Sequence, residues 1–102
     1  MNINIKTFNN WALKDKDVDM QEGHLNAVDY MLNLIDEESN ILNEPFTFLD
    51  IGCGNGWVVR KVSKLKNCKL AEGVDGAPEM INKAEYQDKQ NSYYLKDIED
   101  WI

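Results

Sequence analysis

The chain has 102 residues, 43% of them hydrophobic and 28% charged, with 18 acids against 11 bases and a formal net charge of −7. That balance suits one globular domain or a piece of one, and it argues against a nucleic-acid surface, which needs a clustered basic face. No apolar run approaches the ~20 residues that span a bilayer, the start MNINIKTFNN lacks the apolar core of a signal peptide, and Cys53 and Cys68 make neither a disulfide framework nor a metal set. A cytoplasmic location with reduced thiols is the expectation.

Residues 1–18 are polar, with apolar anchors at Ile3, Ile5, Phe8, Trp11, Leu13 and Val18, and predict a short helix or an extended arm. Over residues 24–38, Leu25, Val28, Leu32 and Ile35 recur at steps of three and four, the mark of one buried helix face, with Gly23 ahead of the helix. Ser39-Asn40 and Pro45 end that region. Phe46 to Ile51 is a short, mostly apolar run that predicts a strand buried on both faces. After a glycine-rich stretch, Val58, Val59, Val62 and Leu65 mark a helix of about ten residues. Its basic residues, with Lys66 and Lys69 beyond, read as a solvated helix side. Cys68 to Val74 is a second strand candidate, and Pro78 suits the first turn of a helix lined by Met80, Ile81 and Ala84. Ser92 to Leu95 is a third strand, in which one of Tyr93 and Tyr94 faces the helices and the other the crevice side.

Strand, helix, strand, helix, strand makes two βαβ units, whose long connections demand parallel strands and right-handed crossovers. The predicted fold is α/β: a Rossmann-like doubly wound parallel sheet, truncated after the third strand, with a preceding N-terminal helix. Residues 1–45 form the N-terminal helical segment and residues 46–102 a partial nucleotide-binding domain.

Residues 48–57 read FLDIGCGNGW, with glycine at 52, 54 and 56. Glycine inside a regular element costs roughly 0.5–1 kcal/mol against alanine, so this stretch predicts a loop. In open α/β sheets ligands bind beyond the carboxyl ends of the strands. Asp50, Asp75 and Asp97 lie at those ends, and a carboxylate there accepts hydrogen bonds from ligand hydroxyls or amines. Asp75 follows Gly56 by 19 residues, close to the spacing of a ribose-binding acid. The N–H groups opening the next helix can meet an anion. The dinucleotide fingerprint G-x-G-x-x-G fails because Trp57 stands at the third glycine, and no Walker A loop is present.

What stands is D-x-G-x-G-x-G, and FLDIGCGNG followed by GVDGAPEMI resembles the first two motifs of class I S-adenosylmethionine-dependent methyltransferases. The likeness runs from Phe46 to about Trp101. The segment FNNWALKDKDVDMQEGHLNAVDYML also resembles, more weakly, the N-terminal helix region of small members of that family. The resemblance implies S-adenosyl-L-methionine as cofactor and a small-molecule methyl acceptor. It implies that Asp50, Gly52, Cys53, Gly54 and Gly56 wrap the methionine end and ribose. Asp75 would hold the ribose hydroxyls, Gly76 and Ala77 would lie along ribose and adenine, and Met80 would form an apolar wall. Asp97 would accept from the adenine amine, with the Ile98 N–H at the ring.

The family's sheet is larger, with strand one at its centre, so this chain would supply only the first three strands. Strand one would then show an unpaired edge, open to a partner chain or a second copy. A non-catalytic module that binds cofactor or partner is the alternative function. The single histidine, His24, reads as a helix-start or surface residue that could rim the pocket with Trp11 and Met20. Cys53 reads as a small packing residue rather than a nucleophile. Trp57 reads as packing at the helix start or near the methionine end, and Glu99 and Asp100 as solvated.

Overall fold

The computed structural model describes residues 3–97 and Glu99. Two helices come first, α1 (Ile3–Leu13) and α2 (Lys16–Glu38), then a 3₁₀ turn at Ile41–Asn43. The βαβαβ run follows: β1 (Phe46–Ile51), α3 (Trp57–Ser63), β2 (Cys68–Asp75), α4 (Pro78–Gln87) and β3 (Ser92–Leu95). The strands are parallel in the order β1-β2-β3, with Asp50 opposite Gly73 and Asp75 opposite Leu95. This is the fold that the alternation of elements demanded.

Because each crossover steps in the same direction across the sheet, right-handed connections bring both α3 and α4 to one face. There Val59, Ile81 and Ala84 bury against Ala71 and Tyr93, with Phe48 and Cys68 packed alongside. Pro78 sits at the start of α4, where a missing N–H costs nothing. The other face carries Leu49, Ile51, Leu70 and Tyr94, all exposed. Strand β1 is thus covered on one face and not on the two that its apolar run predicts, because among the described residues both crossover helices lie on the opposite side. Tyr94 therefore turns away from the crevice, and its hydroxyl donates to Glu72 at 2.7 Å.

The N-terminal helices differ most from the expectation. α2 begins at Lys16, and Gly23 lies inside it rather than ahead of it. Gly23 has open space around its Cα, so its cost is only the intrinsic one of about 1 kcal/mol, which the anchoring of the flanking turns offsets. Leu25 and Ile35 are 42% and 41% exposed, so the periodic face is not a buried one. An apolar stripe marks which side of a helix can be covered, and among the described residues little covers this one.

Helix α3 is also shorter than predicted, seven residues, and Leu65 falls beyond it. α1 packs across the top of α4. Ala12 joins Ala77 and Met80 in a second apolar cluster flanked by Ile5 and Trp11. The Asn9 side chain accepts from the Glu79 N–H at 2.8 Å, so α1 caps α4.

Candidate functional site

Strand β1 ends against the glycine stretch, and the loop is built there from backbone geometry. Gly52, Gly54 and Gly56 all adopt left-handed φ values of 80°, 55° and 84°, which residues with a Cβ enter at a cost of roughly 1–2 kcal/mol. The Gly52 and Cys53 N–H groups both donate to the Val74 carbonyl at 2.8 and 2.9 Å, hanging the loop from the end of β2. At Gly56 the constraint is double: a Cβ there would lie 2.7 Å from the Tyr93 ring. The Tyr93 hydroxyl donates to Asp88 at 2.5 Å, which keeps that ring in place.

Asp75 is the pivot of the mouth. One carboxylate oxygen accepts from the Gly54 N–H at 2.8 Å and the other from the Ala77 N–H at 2.9 Å. A carboxylate has about four lone-pair sites, so each oxygen retains acceptor capacity toward the cavity. That cavity is about 520 Å³ and is lined by Gly52, Gly54, Asp75, Gly76, Met80, Asp97 and Glu99, with Asn4, Ile5, Phe8 and Met20 from the N-terminal helices. A second cavity of about 280 Å³ lies under α2. It shares Met20, Gly52, Gly54 and Met80 with the first and adds Asp50, Cys53, Asn55, Trp57, His24 and Met31.

The electrostatics of the mouth are acidic. Burial first, then the Asp75 charge, raises the Asp50 carboxyl above its ordinary range. A cation brought between the two acids would relieve both effects. Burial, followed by the charges of Asp75 and Asp50, pushes the Cys53 thiol up to about 12. It is therefore a neutral packing group at ordinary pH, since nucleophilic cysteines need a lowered pKa.

Of the residues singled out from sequence, Asp50, Gly52, Cys53, Gly54, Asp75, Gly76, Met80 and Asp97 line one cavity or both. Gly56 and Ala77 do not line either: both are buried, Gly56 against Tyr93 and Ala77 under α1. Ile98 lies outside the described residues. His24 sits within α2 rather than at its start and lines the second cavity. Trp57 opens α3, but its N–H already donates to the Asn55 side chain at 3.1 Å, so the helix start is not bare. Glu99 is exposed, as its reading as a solvated residue expects, and it also lines the first cavity.

Sequence reasoning missed Asn55 and Asp17, each 2% exposed. The Asn55 amide donates to Asp17 at 2.8 Å and to Gln21 at 3.1 Å. An asparagine between two glycines carries no periodic signal, and Asp17 looks like any charge on a polar helix. Among the described residues no cluster of His, Cys, Asp and Glu could hold a metal ion, and no helix is long and apolar enough to cross a membrane.

Residues 49–101, more than half of the chain, match the model of the methyltransferase domain family. No curated protein sequence matches significantly. Among solved structures, the complex between the Haloferax volcanii Trm112 methyltransferase activator and a candidate methyltransferase is similar at 26% identity and a TM-score of 0.65, over 86% of this chain and 37% of that one. The DhpI–SAH complex is similar at 22% identity and a TM-score of 0.72, over 96% of this chain and 45% of that one. The plantazolicin methyltransferase BamL, solved in complex with a triazolic desmethylPZN analog and SAH, is similar at 21% identity and a TM-score of 0.66, over 98% of this chain and 40% of that one. The chain thus spans less than half the length of each of these structures.

Proposed function

The chain belongs to the methyltransferase domain family, and from that premise we propose that it is the cofactor-holding part of an S-adenosylmethionine-dependent methyltransferase acting on a small-molecule acceptor. The single observation that carries the reading is Asp75, held by two backbone N–H groups at the mouth of a cavity of about 520 Å³. Its remaining lone pairs suit the two hydroxyls of a ribose. Asp97 is available to an exocyclic amine, and Met80 and Phe8 offer apolar surface to a base. Asp50, raised by burial and by Asp75, favours a cationic group such as an ammonium. SAH or SAM in the DhpI structures lends weight to this choice of ligand.

When bound, the cofactor would supply an electrophilic methyl group on a sulfonium. The chain's own residues would then bind, orient and exclude water, and positioning of that kind can carry most of a methyl transfer. No nucleophilic side chain is needed, which agrees with the neutral Cys53 thiol. The free thiols of Cys53 and Cys68 fit a cytoplasmic setting.

Isothermal calorimetry with S-adenosylhomocysteine tests the reading. Binding by the wild type, weakened at least about tenfold by Asp75→Ala, is the expected result. No heat from a folded protein would end it.

A second reading rests on the other side of the sheet. Leu49, Ile51, Leu70 and Tyr94 are exposed together, and β1 is an edge strand among the described residues. A non-catalytic module that recruits a partner chain or a second copy along that edge would use this surface. Sedimentation showing a strict monomer across the micromolar range would count against a second copy.

A further inference from the structure

We propose that Asp17 and Asn55 are positioning residues that lock the glycine loop to the N-terminal helices and to α4, and so set the width of the crevice; the part of this that concerns cofactor affinity rests on the function proposed above. Asn55 lies between Gly54 and Gly56, whose left-handed conformations give that backbone little preference of its own. Its side chain supplies the missing restraint. The amide donates both hydrogens into α2, to Asp17 at 2.8 Å and to Gln21 at 3.1 Å. The amide oxygen accepts from the Trp57 N–H at 3.1 Å, and the Asn55 carbonyl accepts from Arg60 at 2.6 Å. One buried residue therefore fastens the loop to α2 on one side and to α3 on the other.

Asp17 carries the link onward. Its second oxygen accepts from Lys83 of α4 at 2.8 Å. Lys83 also pairs with Asp15, the left-handed residue at the corner between α1 and α2. Lys83 stands one helical turn after Met80. Met80, Met20, Gly52 and Gly54 are the walls that the two cavities share. The chain Gln21–Asn55–Asp17–Lys83 thus joins the three elements that carry those walls. A carboxylate buried to 2% exposure persists only when its oxygens are satisfied. Removing it takes the charged partner from the Asn55 amide and one of two carboxylates from the Lys83 ammonium. Among the described residues the loop's side-chain tether to α2 then falls to the Asn55–Gln21 hydrogen bond at 3.1 Å.

The decisive comparison uses three variants, each assayed below its melting temperature. Asp17→Ala and Asn55→Asp are expected to weaken S-adenosylhomocysteine binding about tenfold to hundredfold, the cost of orphaning a buried hydrogen bond to a charged group. The exchanged double variant, Asp17→Asn with Asn55→Asp, keeps one donor facing one acceptor. It is expected to recover affinity to within about threefold. A merely structural contact would lower the melting temperature and leave the affinity of the folded protein unchanged, and that result would overturn the proposal. If the wild type binds no S-adenosylhomocysteine, the cofactor reading fails by itself, and amide exchange then judges the lock. Faster exchange at Gly54 and Gly56 in Asp17→Ala, with Ala71 in the middle of β2 unchanged, supports it. Equal rates at all three positions would sink it.

Discussion

The two faces of the sheet are made from the same three strands and have opposite fates. On one face Ala71, Gly73 and Tyr93 lie under α3 and α4, and Val59, Val62 and Ala84 are at most 1% exposed. On the other face Leu49 and Leu70 are 45% and 47% exposed. Composition does not separate them, since both faces are apolar. Crossover handedness does, because two successive right-handed connections stepping in one direction deliver both helices to the same side. The covered face also carries the site: its residues end in Asp50 and Asp75, and the loop above them reaches down to Tyr93.

The contrast can be broken first at the covered face. Ile81→Ala, at a position 4% exposed, is expected to cost about 2–5 kcal/mol in chemical denaturation. A loss below about 1 kcal/mol would mean that this face is looser than its packing suggests. Gly56→Ala comes next, at about 2–4 kcal/mol, combining a left-handed alanine with displacement of the Tyr93 ring. Pairing it with Tyr93→Leu should recover part of the loss, because the obstructing ring is then gone.

Asp50→Asn sharpens the contrast electrostatically. The folded protein holds the Asp50 carboxyl above its ordinary 3.8, so ionising it costs stability as pH rises through the folded value. That cost is absent below about pH 4, where the group is protonated in both states. The asparagine variant should therefore melt higher than wild type at pH 7 and equally at pH 3. The same change should weaken S-adenosylhomocysteine binding, a stability gain taken at the expense of the site. Smallest of all, Leu70→Ser on the open face should move stability by no more than about 0.5 kcal/mol and should reduce self-association. A loss as large as that of Ile81→Ala would show that something covers this face in solution.

The βαβαβ half was legible because each of its signals is local. Phe46–Ile51 and Ser92–Leu95 emerged as strands with the boundaries predicted, and Pro78 opened α4 where a proline is tolerated. The N-terminal half was legible only in part: α1 is one of the two forms expected over residues 1–18, and α2 contains the helix expected over 24–38, but its start and its burial were not foreseen. Gly23 suggested a boundary that the helix ignores, because nothing crowds it and the turns on either side are anchored elsewhere. The stripe of Leu25, Val28, Leu32 and Ile35 promised burial, but periodicity records only which side could be covered. Asp17 and Asn55, separated by 38 residues, read as unrelated polar positions until the fold brought them to 2.8 Å.

By itself the sequence determined the parallel α/β class, the glycine loop after β1, and the acids at the carboxyl ends of the strands. Those follow from alternation of period, from the conformational freedom of glycine and from spacing along one chain. Only the tertiary structure decided which sheet face is covered, which N–H groups hold Asp75, and that α2 and α4 meet the loop through Asp17. Each of these depends on residues far apart in sequence meeting across packed elements, and local propensity carries no trace of such meetings.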